Sequence, residues 1–393
     1  MKETNMRRGD GTSRRRWLAA LSLSGSEALA VGGEIPGTSG KRAAVADVTD
    51  FGAVGDGKTD DTSAIAKAVA KVAENGGVVF FPPGRYLSRT IRAKSHVTFL
   101  GFAAWGYGEG GSTIVSPADD KQPCLFDLND CIGTRLTGLT LDGRKMGKAI
   151  HGVVSRHPGK EQNIVIDDCH IAGFSGSGVQ LNNSWVWAVR HSIIRSNGLD
   201  GIESIRSYDA WIIDNQLTGN GRMGIRGDSL SSTAITANRV EWNKRGGIWL
   251  GPAACTNVQI ANCYFDKNFG PAVAVMTQPA AGNIAVTGNL MRSNGWSMTE
   301  KPSEQDCQLL FRNAAGLVVT GNSAVAVATH KHLGMKEKQR VLPPSRGMVL
   351  SGLRDSVISD NCLHSCCTGK PVADEGGHQN CVIANNPGSV IVP

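Results

Sequence analysis

The chain has 393 residues, 49 of them glycine, and only 19% are charged. That composition argues against a helical bundle and for a turn-rich β protein, with enough chain for one large domain or two ordinary ones. The formal charge of +7 draws heavily on Lys2, Arg7, Arg8, Arg14, Arg15 and Arg16, opposed locally by Glu3, Asp10 and Glu27. No basic run with interleaved aromatics follows, so nucleic acid is not an expected partner.

The N-terminal segment reads as an address. S-R-R-R-W-L (Ser13 to Leu18) resembles the twin-arginine export signal, in which a serine, paired arginines and apolar residues precede a modest hydrophobic stretch. Trp17 to Val31 is too short and too polar to span a bilayer, and Ala28-Leu29-Ala30 offers small residues for cleavage, with Glu27 as an interruption. The expectation is a signal peptide over 1–30, a linker over 31–45 and a folded domain over 46–393. The implied destination is the bacterial periplasm or the medium, with no membrane association after cleavage.

Next comes G-A-V-G-D-G-K-T (Gly52 to Thr59), which satisfies the pattern of a phosphate-cradling loop. The segment that follows opens with Asp60 and Asp61, two carboxylates where a triphosphate would need to sit. No β-α-β alternation follows either, so no nucleotide is expected at Gly52–Thr59. The alternative is a turn into a helix capped by Asp61 or Thr62. Its stripe of Ile65, Val69 and Val72 would close the end of the domain, giving a capping segment over 46–90. Beyond it lie G-G-V-V-F-F-P-P-G-R-Y (Gly76 to Tyr86), a glycine-rich loop over 101–111 holding Trp105 and Tyr107, and Asp142 at the end of L-T-L-D-G. Trp105 is a candidate sugar-binding residue, and Asp142 suits a structural turn.

From residue 163 the chain repeats itself. N-I-V-I-D-D-C-H-I, W-A-V-R-H-S-I-I, A-W-I-I-D-N-Q-L, T-A-I-T-A-N-R-V and N-V-Q-I-A-N-C-Y-F are short alternating runs, with further copies from Asn283, Leu317 and Ser356. Gly178, Gly201, Gly224 and Gly247 follow at a constant spacing of 23 residues. Alternation means strand, and glycine at a fixed offset means a recurring turn. No crossover helix fits between copies, so each coil must stack on the last as a solenoid. Asn215, Asn238, Asn262, Asn289, Asn322 and Asn361 predict an asparagine ladder at one bend, with Cys169 and Cys263 as small core residues.

D-F-G-A-V-G-D-G-K-T-D-D-T-S-A-I, the segment Gly76–Tyr86 and the repeats together resemble the pectate-lyase superfamily. The resemblance covers roughly residues 46–390 and implies an all-β fold: a single right-handed parallel β-helix with an N-terminal helical cap. It further implies action on polysaccharides, commonly acidic ones, and calcium as a candidate cofactor. Departures are evident. D-G-I stands at Asp200, but no coil carries the paired D-D of polygalacturonases at the expected later position, and neither their G-H-G nor a matching R-x-K is found. W-I-I-D-N at Trp211 is similar to the W-I-D-H of pectate lyases but carries Asn215 in place of histidine, and Trp211 and Ile213 also fit the core repeat.

In a solenoid, residues at one phase of successive coils form a row. The residues two places after the repeat glycines are Gln180, Glu203, Arg226 and Trp249; their neighbours Val179, Ile202, Ile225 and Ile248 should point inward, which turns this row outward. Asp200, Arg206 and Asp228 are close in sequence. A carboxylate of Glu203 or Asp200 could move a proton, Arg226 or Arg206 could hold a sugar carboxylate, and Trp249 could stack on a pyranose, with Gln180 and His191 as further binding candidates. A plain solvent-exposed Glu203–Arg226 pair, worth under about 1 kcal/mol, is the competing reading. His170 shares a phase with His191. Two long insertions, around Trp296 to Cys307 and Thr329 to Arg346, have the length of functional loops, and the second, with H-K-H (330–332) and K-E-K-Q-R, is basic and could border an acidic chain. Cys362, Cys366 and Cys367 with His364 match no standard zinc spacing, which favours a disulfide or buried thiols, and no metal site is assigned. These residues suggest a lyase or epimerase acting on a uronate polymer. A hydrolase using Asp200 with Asp228 and a non-catalytic sugar-binding protein remain as alternatives.

Overall fold

The computed structural model describes residues 44–391 apart from 103–105, 107–110, 112, 158–160, 278–281, 297–304 and 328–341. The proposed signal peptide, Trp105, Tyr107 and the central parts of both insertions lie outside the described residues. Each coil lays down parallel strands on three faces. Val179–Asn182 is on the first face, Trp185–Arg190 on the second and Ile193–Arg195 on the third. Two later coils run across the first corner without a break, as the single strands Ile202–Ile213 and Met223–Thr236.

Register is set by alternation. On the first face Val179, Ile202, Ile225 and Ile248 stack in line, and all are buried. On the second face the inward row is Trp187, Ala210, Thr233 and Val258; on the third it is Ile171, Ile194, Leu217, Val240 and Phe265. Fully burying one such aliphatic side chain contributes about 1.5–3 kcal/mol. On the second face Ala210 and Ile212 fill the core, so Trp211 points outward and is 46% exposed. The sequence reading of Trp211 and Ile213 as core residues is therefore off by one position, and a one-residue slip turns a side chain to the other side of a sheet.

The corners are held by side-chain amides. Asn215 donates from Nδ2 to the Val189 carbonyl and to Asn238 Oδ1, and its own N–H donates to the same oxygen. Asn289, Asn322 and Asn361 repeat the pattern. Asn262 departs from it. Its coil is longer, so Asn262 is exposed in the left-handed region at φ 54, and Cys263 takes the ladder position with its N–H on Asn289 Oδ1. A second ladder, Asn197–Asn220–Asn243–Asn268–Asn294, ends on Gln308 and lines the corner between the third face and the first.

The helix Thr62–Val72 buries Ala64, Ile65, Ala68, Val69 and Val72 against the first coils. Asp61 stands at its N-cap, yet its carboxylate accepts from the Val54 and Gly55 N–H groups at 2.7 and 3.3 Å, while Asp60 takes the Thr62 N–H. Asp56 accepts from Lys58 and Thr59, both at 2.8 Å. The backbone donors with which a phosphate loop would hold its anion are thus committed to the loop's own carboxylates. All ten cysteines are free thiols; Cys366 and Cys367 are buried with sulfurs 3.7 Å apart, and Cys362 is exposed.

Candidate functional site on the first face

The outward row of the first face changes character along its length. From Val154 it runs in register through Gln180, Glu203, Arg226, Trp249, Ala274, Leu310 and Val349, and ahead of Val154 stand Asp127 and Arg92. Ionic residues occupy two stretches of it, Arg92 with Asp127 in the early coils and Glu203 with Arg226 at the centre. Glu203 Oε1 accepts from Arg226 Nη1 at 3.0 Å, and Oε2 accepts from Gln180 Nε2 at 3.0 Å and Ser177 Oγ at 3.1 Å. Arg226 Nη2 lies 3.8 Å from Asp228 Oδ2, and Asp228 Oδ1 accepts the Ala253 N–H. The structure therefore brings Gln180, Glu203, Arg226 and Asp228 into one network. Glu203 is 6% exposed, so the pair is not the solvated surface contact of the competing reading.

A different column, just ahead of the first-face strands, supplies the neighbours. It contains His151, Ser177 and Asp200. Each of the two ionisable members takes a backbone N–H from a later coil: His151 Nδ1 that of Ser177 at 3.0 Å, Asp200 Oδ1 that of Met223 at 2.9 Å. Asp200 is fully buried, with Arg222 Nη1 3.5 Å from its other oxygen. Burial raises its pKa, partly offset by the Met223 N–H and the Arg222 charge. Its carboxyl ties one coil to the next and is sealed from any substrate. Hydrolysis by an Asp200–Asp228 pair, which requires two carboxylates open to the sugar, does not suit this geometry.

The remaining candidates are dispersed. Trp249 follows Arg226 in the row but packs against an apolar cluster of Ala274, Cys307, Leu310 and Val349. Arg206 is exposed at the first corner, 3.4 Å from Asn182 Oδ1. His191 is on the corner between the second and third faces, bonded to Asp167 at 2.9 Å beside a shallow groove that includes Asp214 and Arg239. His170 is buried on the third face, where Arg195 Nε donates to its Nε2. Asp142 accepts the Arg144 N–H within its own turn.

The donor set does not fit calcium. The gap between Glu203 and Asp228, where a cation would bridge two carboxylates, is filled by the Arg226 guanidinium. Among the described residues no three His, Cys, Asp or Glu side chains converge as metal ligands.

His151 and Ser177 were missed in the sequence. His151 is half-buried, and burial pulls its pKa below the ordinary imidazole value against the opposing pull of Glu203. Gly176 makes the approach feasible, because a Cβ there would come within 2.9 Å of His151 Nδ1. The signal was the S-G-S-G run at Ser175 to Gly178, in which glycines flank a hydroxyl.

A family model described as a right-handed β-helix region matches residues 152–329. The A-module of mannuronan C-5 epimerase AlgE4 from Azotobacter vinelandii superposes with a TM-score of 0.54 at 19% identity, over 88% of this chain and all of that one. The fold is a right-handed parallel β-helix. Among curated relatives, mannuronan C5-epimerase AlgE2 of A. vinelandii is 26% identical over 223 residues, which is 51% of this chain and 22% of that protein. Alginate lyase 7 of the same organism is 28% identical over 196 residues, 45% of this chain and 22% of that protein. The β-helix thus matches about a fifth of the length of these relatives.

Proposed function

We propose that this β-helix is a polysaccharide-modifying enzyme of the lyase or epimerase type, acting on a uronate-containing polymer laid across the outward row of the first face. The observation that carries the reading is the buried Glu203 carboxylate on that row, fixed by Ser177, Gln180 and Arg226. Similarity to epimerases and a lyase that act on mannuronan and alginate supports the same substrate class.

Removal of the uronate C5 proton is the step common to both reactions. The Glu203 carboxylate takes the proton, and the C–H electron pair moves into the sugar carboxylate. In a lyase the pair then forms the C4–C5 double bond as the O4 substituent leaves. In an epimerase a proton returns from the opposite face. Arg226, partly open to solvent, offers positive charge to the sugar carboxylate, and Arg206 offers more at the corner.

The test is a panel of polymannuronate, alginate and pectate, read in parallel by ultraviolet absorbance of unsaturated uronate, by proton NMR of the epimer ratio and by reducing ends. Wild type should give one of the first two signals. Glu203→Gln should lower turnover by about 10²-fold or more, since a positioned base is worth that much. Arg226→Ala should also cut activity and cost about 2–3 kcal/mol of stability, less than a fully dry pair because Arg226 keeps some water. Full activity in both variants sinks the assignment, and reducing ends without either signal would favour hydrolysis.

A further inference from the structure

We infer that His151 is a tautomer-locked hydrogen-bond donor of this same site, presenting its Nε2–H to the sugar carboxylate as negative charge builds there. The inference rests on the proposed lyase or epimerase reading, and its foundation is geometric. A backbone N–H has no choice of role, so the bond from Ser177 N to His151 Nδ1 at 3.0 Å makes Nδ1 the acceptor. While that bond stands, the ring carries its only proton on Nε2 and is uncharged. No described residue accepts from Nε2, so this donor is uncommitted within the described fold.

Position supports the role. Ser177 binds His151 through its N–H and Glu203 through its hydroxyl, so one fully buried residue fixes both the imidazole and the carboxylate. Cys124 lies in register beside His151, its thiol pushed up to about 12 by burial and therefore neutral. Glu203 is the charged group whose field reaches the ring, and burial outweighs it in keeping the imidazole unprotonated. A neutral imidazole N–H suits charge that develops on an oxygen during proton abstraction beside a carboxyl group. An imidazolium would bind the ground-state carboxylate as strongly and gain less at the transition state.

The chemistry balances without transfer from the histidine. Glu203 removes the C5 proton, the electron pair spreads onto the uronate carboxyl oxygens, and His151 Nε2–H donates to one of them while keeping its proton.

Two measurements test the inference. Nitrogen NMR of the ring in the full chain should show Nε2 protonated and Nδ1 bare at neutral pH, with titration below that of an ordinary histidine. Adding an oligomannuronate or oligogalacturonate should shift the Nε2–H resonance. An Nδ1-protonated ring, or an Nε2–H that ignores both oligosaccharides, overturns the inference, whether or not the polymer panel yields product. In kinetics, His151→Ala should lower kcat about 10²-fold with KM little changed. His151→Gln, whose amide N–H reaches a similar place, should stay within about tenfold of wild type. Equal losses in the two variants would reduce His151 to a packing role. If His151→Ala does not fold, His151→Gln and the NMR experiment still decide the matter. Absence of turnover in wild type on every uronate polymer would instead defeat the lyase or epimerase reading itself.

Discussion

Asp200 shows how a candidate acid can be a structural acceptor. Its folded pKa is raised because burial penalises the anion more than the Met223 N–H and Arg222 favour it. The native state therefore binds this proton more tightly than the unfolded chain does. The resulting stabilisation is present below the unfolded pKa and is lost as pH rises through the folded value. Asp200→Asn keeps an oxygen for Met223 N–H and removes the ionisation. Denaturant titrations should show its stability relative to wild type increasing from acid to neutral pH; a constant difference would mean that Asp200 does not titrate anomalously. The site was only partly legible for the same kind of reason. Gln180, Glu203 and Arg226 follow the constant glycine spacing and so could be placed in one row. His151 is 26 residues from Ser177 instead of 23, outside the period that revealed the row. Burial of Asp200 depends on Met223 and Arg222 in the following coil, which no local pattern shows.

The asparagine ladders do for the corners what strand pairing does for the faces. Asn243 Oδ1 accepts from Asn220 N and Nδ2 at 3.1 and 2.9 Å, and its Nδ2 donates to the Leu217 carbonyl and Asn268 Oδ1 at 3.0 and 2.9 Å. Asn243→Ala strands several buried donors and acceptors and should cost about 3–5 kcal/mol, at about 1–3 kcal/mol for each unsatisfied group. Asn243→Asp should be worse, because it puts an oxygen against the Leu217 carbonyl. Chemical denaturation of the two variants checks the order, and near-neutral values would show that water replaces the amide. The first ladder was visible in the sequence because its asparagines follow an alternating run. The second was not, since Asn197, Asn220, Asn243 and Asn268 lie among glycines and charged residues that read as ordinary loop. Inward rows of Val and Ile were readable from alternation. Trp211 was misplaced because its strand, Ile202–Ile213, keeps running through a corner at which Arg206 and Asp209 have φ near 50, and alternation alone does not count such residues.

At the scale of the whole fold, coils touch their neighbours in sequence order, so stability is close to a sum of coil and nearest-neighbour terms. The helix Thr62–Val72 matters because it covers the N-terminal end of that stack, including the terminal strand Ala44–Asp47, which pairs on one side with Gly77–Phe80. Ala68 is fully buried at the centre of the helix's inner face. Ala68→Asp would place an unpaired carboxylate there, at a cost of several kcal/mol, enough to unseat the helix. Hydrogen exchange should then lose protection over Ala44–Leu100 while the strands around Glu203 and Arg226 keep theirs, because the coils between them still bury their own interfaces. The uncovered strand edge should also promote self-association, visible as larger species in size-exclusion chromatography. Loss of protection spread evenly as far as Lys370–Asp374 would contradict this view, since it would mean that the coils unfold as one cooperative body and that the cap stabilises the distant site as much as the end it covers.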